Sequence, residues 1–291
     1  MNRTLLNAVG AFAALTTAGS MAQPLAMVEA VQAPAWVQRG ESRIPLSPGM
    51  ELANRDQIRT GAKSKLLLRM GEGSSVKLGE NASFTLDNME RRKDNLFVAA
   101  MKVAEGAFRF TTRALTSRRV KRDININIAQ VTAGIRGTDV WGKAASDRDI
   151  VCLIEGKIEV QRGTDKPFAM DQPLSFYIAP RDRPPLPVAP VPPEQLRQWS
   201  AETEIEPGKG AARAGGRWKV VLASEETPQA ALAMYDRARA AGYAAQILPT
   251  RINDKRVYLV RITQLPSKEE ATALADALRG TMGVIEPMVT R

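Results

Sequence analysis

Between Trp36 and Arg162 the apolar residues fall at every second position, in runs too short and too often interrupted for a helix. Ile124, Ile126 and Ile128 alternate with Asn125 and Asn127, and Val76 and Leu78 alternate with Ser75 and Lys77. A period of two sends one set of side chains inward and the other to water, the pattern of a strand with one buried face. Strands are expected over 65–70, 75–78, 83–86, 96–103, 107–111, 123–131 and 149–161. Turn residues separate or interrupt them: Pro48-Gly49, Gly71-Glu72-Gly73 and Glu155-Gly156-Lys157, where Pro presets φ and Gly supplies positive φ. Many short strands with turn signals at this spacing predict an all-β unit: a sandwich, a barrel or a solenoid.

One stretch breaks the alternation. In residues 131–141, Gly134 and Gly137 bracket Ile135-Arg136, with β-formers on both sides. Glycines three apart in such a run mark a forced bend or a close approach of two chains. The bend is either a corner internal to the fold or a device that presents Arg136 to a protein partner. Both readings stand at this point.

Composition removes several classes of chemistry. The chain has 291 residues, room for two domains, and an apolar fraction of 44%, enough for packed cores. It has no histidine, which takes away the commonest general base and the commonest metal ligand. The single cysteine, Cys152, has no disulfide partner within the chain and stands in the apolar run Ile150-Val151-Cys152-Leu153-Ile154, so a buried small hydrophobe is expected. Glu105, Asp139, Glu155 and Glu159 show no spacing that singles out a catalytic pair. Neither catalytic residues, cofactor nor metal are expected. The 41 Lys and Arg against 31 Asp and Glu allow attraction to a polyanion such as nucleic acid, an anionic lipid surface or a wall polymer. Two basic runs, Arg91-Arg92-Lys93 and Arg118-Arg119-Val120-Lys121-Arg122, are either solvated loops or a binding patch.

The first 22 residues have the layout of a cleaved secretory signal peptide. Arg3 gives a positive start, residues 5–17 are uncharged and mostly apolar, and Ser20-Met21-Ala22 places small residues at the cleavage-specifying positions. Export to the periplasm follows, with no transmembrane segment after cleavage.

The all-β region resembles a FecR-type periplasmic domain. The matching residues are Trp36-Val37, Gly40, Leu46 and Gly49, then Asp56, Ile58, Thr60 and Gly61, then Ser64, Leu66 and Leu68. Further along come Gly73-Ser74, Val76, Leu78, Glu105-Gly106 and Phe108. Gly134-Ile135-Arg136-Gly137-Thr138 and Glu155-Gly156 with Ile158 and Val160 are the strongest marks. The resemblance implies an extracytoplasmic β module over 36–166. The chain lacks the family regulator's cytoplasmic anti-sigma portion and its membrane helix, so the signalling role does not transfer with the fold.

Residues 167–216 change character. Prolines 180, 184, 185, 187, 190, 192 and 193 favour an extended, semi-rigid spacer, followed by a short helix from Pro193 and flexible coil over 208–216. Trp199 within this linker points to docking on one of the domains.

Residues 217–291 alternate element types. A strand over 218–223 leads to a helix opened by Thr227-Pro228 and closed at Ala241-Gly242. Strands follow over 244–249 and 256–263. A second helix begins with a Ser267–Glu270 capping box, and a last strand is expected over 284–289. The order βαββαβ predicts a ferredoxin- or RNP-like plan: a four-stranded antiparallel sheet with both helices on one face and the other face open.

This part resembles a SPOR domain, a bacterial peptidoglycan-binding module that prefers glycan strands stripped of stem peptides. The resemblance rests on the strands Trp218-Lys219-Val220-Val221-Leu222-Ala223-Ser224-Glu225 and Tyr258-Leu259-Val260-Arg261-Ile262-Thr263-Gln264-Leu265, with the aromatic positions in place. Val221 and Leu259 stand where the family is usually polar. By strand alternation Trp218, Val220, Leu222, Tyr258, Val260 and Ile262 face the helices. Lys219, Val221, Gln246, Leu259 and Arg261 are then the expected peptidoglycan-binding residues of the open face.

The fold class expected is therefore mainly β plus α+β. The function expected is that of a non-catalytic envelope protein, held to peptidoglycan glycan strands and enriched where the wall is remodelled, including division sites. The β module would present a surface, Arg136 included, to an envelope partner. The alternative is a periplasmic signalling partner without wall binding. Nucleic-acid binding through the RNP-like plan is not expected, because the open face has no aromatic to stack a base.

Overall fold

The structure is a computed structural model and describes residues 24–112 and 121–291. The expected signal peptide, Arg113 and residues 118–120 of the second basic run lie outside the described residues.

Residues 26–190 build two hydrogen-bonded layers around one core. The first layer contains, in spatial order, Ala26–Gln32, Lys65–Met70, Ser75–Leu78, the distal half of Leu96–Thr111, Asp139–Ala144, Arg148–Glu155 and Ser175–Pro180. The second contains Ser42–Pro45, Ala35–Arg39, Gln57–Thr60, Ser83–Arg92, the proximal half of Leu96–Thr111, Lys121–Ile128, Val131–Ile135, Ile158–Arg162 and Phe168–Met170. Of the three architectures open to the sequence, this is the sandwich. Its alternating strands send Leu66, Leu68, Val76, Leu78, Phe108 and Phe110 from one layer against Ile58, Phe84, Phe97, Ile124, Ile126 and Ile128 from the other. Burying each such side chain contributes about 1.5–3 kcal/mol, so the interleaved apolar rows hold the layers together.

The chain changes layer at glycines. Residues 96–103 and 107–111, expected as separate strands, are one 16-residue strand that bends at Gly106, where φ is 85°. The proximal half pairs in the second layer and the distal half in the first. The expected strand over 123–131 is two strands, Lys121–Ile128 and Val131–Ile135, joined by a tight turn through Ala129 at φ 47°.

The sandwich extends past both expected limits. Ala26–Gln32, ahead of residue 36, pairs with Lys65–Met70; its alanines weaken the hydrophobic alternation that would have marked it as a strand. Beyond residue 166, Phe168–Met170 and Ser175–Pro180 add edge strands to the two layers. The segment expected as a spacer over 167–216 is therefore largely packed structure. Helix α1, Pro193–Thr203, lies on the outer face of the first layer. There Trp199 stacks on Trp141 with ring centroids 4.8 Å apart and planes 7° from parallel. Phe176 meets Trp199 edge-on at 5.5 Å, and Cys152 and Ile150 lie in the same cluster. Lys143 pairs with Glu202 at 2.8 Å, Lys77 pairs with Glu204, and Lys65 donates to the carbonyls of Ala201 and Glu204. These lysines supply positive charge at the helix C-terminus, where the backbone dipole favours it.

The C-terminal unit has the βαββαβ order. Its strands are Trp218–Glu225, Ala245–Ile252, Lys255–Leu265 and Met288–Thr290, with helices α2, Pro228–Ala240, and α3, Lys268–Leu278. The antiparallel sheet places the two central strands, Lys255–Leu265 and Trp218–Glu225, between Ala245–Ile252 and Met288–Thr290. The last strand is shorter than the expected 284–289: Val284 is instead buried in the turn that precedes it. Thr227 Oγ1 accepts the Ala230 N–H and Ser267 Oγ accepts the Glu270 N–H, both at 3.2 Å, so each helix has its N-cap. The Glu270 carboxylate does not complete the expected reciprocal box. It turns outward and accepts the N–H groups of Gly208, Gly210 and Ala211 at 2.7, 2.7 and 2.9 Å. Residues 208–216, expected as flexible coil, are thus held, and Ala212–Arg213 pairs with Ala30–Val31 of the sandwich. A second junction forms where the Ala35 N–H donates to the Gly242 carbonyl and the Trp36 ring packs on Gly242.

Candidate functional site: the open sheet face and the glycine corner

Direct cross-strand pairs share a face of a sheet, so the register defines the open face row by row. Val289, Val220, Ile262 and Ala245 form one row across all four strands and point at the helices. Val220, Ile262 and Ala245 belong to the core, with Val289 packed against it. The adjacent row is Met288, Val221, Arg261 and Gln246, and it points the other way. The next row on that side is Ser224, Leu259 and Leu248, and Lys219 lies at the far end opposite Thr290. All five expected residues, Lys219, Val221, Gln246, Leu259 and Arg261, are therefore brought to the helix-free face.

The face is an apolar strip edged with cations. Val221 is only 4% exposed although it lies in the helix-free row. Arg261 lies directly beside Val221, and its Nε is buried with no hydrogen-bond partner among the described residues. Met288 is 52% exposed and extends the strip by one strand. Met288, Leu248, Ser224 and Thr290 are face residues that sequence reasoning missed. The register of the short last strand places Met288 and Thr290, while Ser224 and Leu248 follow from their pairing with Leu259. Bulges between Trp218 and Val220 and between Val221 and Ala223 interrupt simple alternation on the central strand.

Arg136 is exposed at the corner between Val131–Ile135 and Asp139–Ala144, where the chain passes from the second layer to the first. Gly137 has φ 102°, and the turn at Gly156 packs under it: a Cβ on Gly156 would lie 2.8 Å from the Gly137 carbonyl oxygen. The two strongest sequence marks of the β region are thus one packed corner. Just inside it, the Asp139 carboxylate accepts a bidentate pair of hydrogen bonds from Arg109 at 2.9 and 2.6 Å, which raises the pKa of the guanidinium. Burial pushes the Cys152 thiol up to about 12, so it behaves as a hydrophobe. Of the second basic run, Arg122 lies within the sandwich, 3.5 Å from the Glu72 carboxylate, with side chains 5% and 0% exposed. Arg122 is a structural residue and not part of a surface patch. Among the described residues no group of three or more metal-ligating side chains converges.

These features describe a β-sandwich joined to a small α+β unit with one helix-free sheet face. Residues 56–159 match the family model described as "FecR protein", and residues 214–291 match the model described as "SPOR domain". The chain carries a FecR domain followed by a SPOR domain. A SPOR domain implies peptidoglycan binding and a FecR domain implies a protein partner; both are binding or regulatory modules of the cell envelope. Two crystal structures of a "putative anti-sigma factor from Parabacteroides distasonis ATCC 8503" align at 15% identity over 76% of this chain and 89% of theirs, with a TM-score of 0.40. No curated protein matches the sequence. No helix among the described residues is long and apolar enough to cross a membrane.

Proposed function

We propose that this protein is a non-catalytic periplasmic scaffold that holds to peptidoglycan glycan strands through the open sheet face and offers its FecR domain to an envelope partner. The observation that carries the reading is the row Met288, Val221, Arg261 and Gln246, with Lys219 beside it. A sugar chain presents apolar ring faces edged with hydroxyls and carbonyl-bearing acetamido groups. An apolar strip with a few fixed donors matches that chemistry, and the row holds no carboxylate to repel an anionic wall. Arg136, exposed on a rigid corner of the other domain, is the residue we assign to the partner surface.

The test is co-sedimentation of the full-length mature protein with purified sacculi. Wild type is expected in the pellet. Lys219→Ala with Arg261→Ala is expected to weaken binding by about tenfold, as the loss of two charge-assisted contacts would. Equal sedimentation of the variant, or wild type left in the supernatant, removes the wall-tether reading. The latter result would favour a periplasmic signalling partner that does not bind the wall.

A further inference from the structure

A cleft of about 1110 Å³ opens between the sandwich, α1 and α3, on the opposite side of the SPOR sheet from the open face. Clefts of this size at the junction of domains are the usual location of ligand sites. Two properties of its lining restrict what it can hold.

The first is the size of the side chains. Gly106, Ala107 and Ala144 line it from the sandwich, Ala201 from α1, and Ala273 and Ala277 from α3. Such a surface lets a ligand backbone come close, and among the described residues Tyr243 is the one aromatic in the lining, too few for a platform of stacked sugar rings. The second is charge. Lys65 and Lys143 are engaged with α1, and Glu80 accepts the Lys63 backbone N–H at 2.7 Å. Lys63, Glu105, Glu206 and Lys209 also line the cleft, and among the described residues these four make no ion pair. The sandwich wall thus offers one cation, Lys63, and two carboxylates without a cationic partner, Glu80 and Glu105. The connector between α1 and the SPOR domain offers another of each, Lys209 and Glu206. A ligand of a single sign would be repelled by two or three of these groups, whereas a ligand carrying both signs finds an opposite charge on both walls.

We propose that this cleft is a second ligand site, for a short peptide that carries both carboxylate and ammonium groups. Wall stem peptides and free peptides of the envelope share this chemistry. Because the walls come from both domains, bound peptide would bridge them. The site is separate from the open face and does not depend on glycan binding there.

The probe is the tripeptide L-Ala-D-Glu-L-Lys, titrated into the full-length mature protein by calorimetry. Saturable binding is expected. Acetylating its amines or amidating its carboxylates is each expected to weaken binding by about tenfold, since each removes one sign of charge. Ala277→Trp, which fills the cleft from an exposed helix position, is expected to abolish peptide binding and leave sedimentation with stem-stripped sacculi unchanged. Lys219→Ala with Arg261→Ala is expected to leave peptide binding unchanged and to weaken sedimentation with stem-stripped sacculi. Tighter binding to intact than to stripped sacculi, lost in Ala277→Trp, would identify the wall as the source; saturable binding of the free tripeptide without that difference would identify free peptide. No saturable binding, binding indifferent to either chemical block, or binding unchanged in Ala277→Trp would each overturn the proposal.

Discussion

Gly156 and Gly106 show how little freedom single residues have at the layer crossings. At Gly156 φ is 91° and an added Cβ would meet Gly137 and Thr138 at 2.8 Å; at Gly106 φ is 85° and the Cβ would lie 2.6 Å from the Ala82 Cα. Both obstacles are backbone or the short Thr138 side chain, so nothing flexible can swing away. Gly156→Ala is expected to cost about 2–4 kcal/mol, positive-φ strain added to overpacking, measured as a lower urea midpoint with an unchanged m-value. The pattern Gly-Ile-Arg-Gly was legible as a bend, but its partner at Gly156 was not, because 17 residues and two strands separate Thr138 from it in the chain.

At the scale of elements, α1 has the most to say. It has 11 residues and no side-chain N-cap, so it cannot be stable alone and depends on the Trp199–Trp141 stack and the lysine contacts at its end. Cys152, the single cysteine, lies in the cluster beneath it and is a built-in reporter. In the native protein a thiol reagent at pH 8 is expected to leave Cys152 unlabelled until denaturant is added. Trp199→Ala is expected to speed labelling under native conditions, read by mass spectrometry; unchanged protection would show that α1 is not its cover. The raised thiol pKa also has a sign. Above the ordinary thiol value the unfolded chain releases its proton first, so the contribution of Cys152 to stability falls as pH rises toward about 12. Burial of Cys152 was legible from its apolar run. The seat of α1 was not, since a proline-rich segment reads as a spacer whether or not its tryptophan finds a surface.

At the scale of the whole molecule, the two domains are joined by more than a tether. Glu270 reaches from α3 to three backbone N–H groups of the connector, Ala212–Arg213 extends the sandwich sheet, and Trp36 packs on Gly242. Glu270→Ala would leave those buried donors unpaired, at about 1–3 kcal/mol for each that water cannot reach. The expected result is that one calorimetric unfolding transition in the wild type becomes two, as the SPOR domain comes loose from the sandwich. A single transition with unchanged midpoint would show that the junction carries little stability. The same junction forms the peptide cleft, so Glu270→Ala is also expected to lower affinity for the tripeptide.

Local pattern alone determined the strands with clear alternation, both SPOR helices with their caps, the order of the two domains, and the five open-face residues Lys219, Val221, Gln246, Leu259 and Arg261. Each depends on a period of two or 3.6 residues, or on a cap a few residues away, and such signals survive in a short window of sequence. Only the tertiary structure decided that the β unit is a sandwich, that Gly106, Gly137 and Gly156 are its crossings, that Met288 joins the open face, and that the supposed spacer folds against both domains. The physical reason is common to all of these. Each is a contact between residues far apart in the chain, where backbone space, ring stacking or a single carboxylate selects one arrangement among many that local pattern allows.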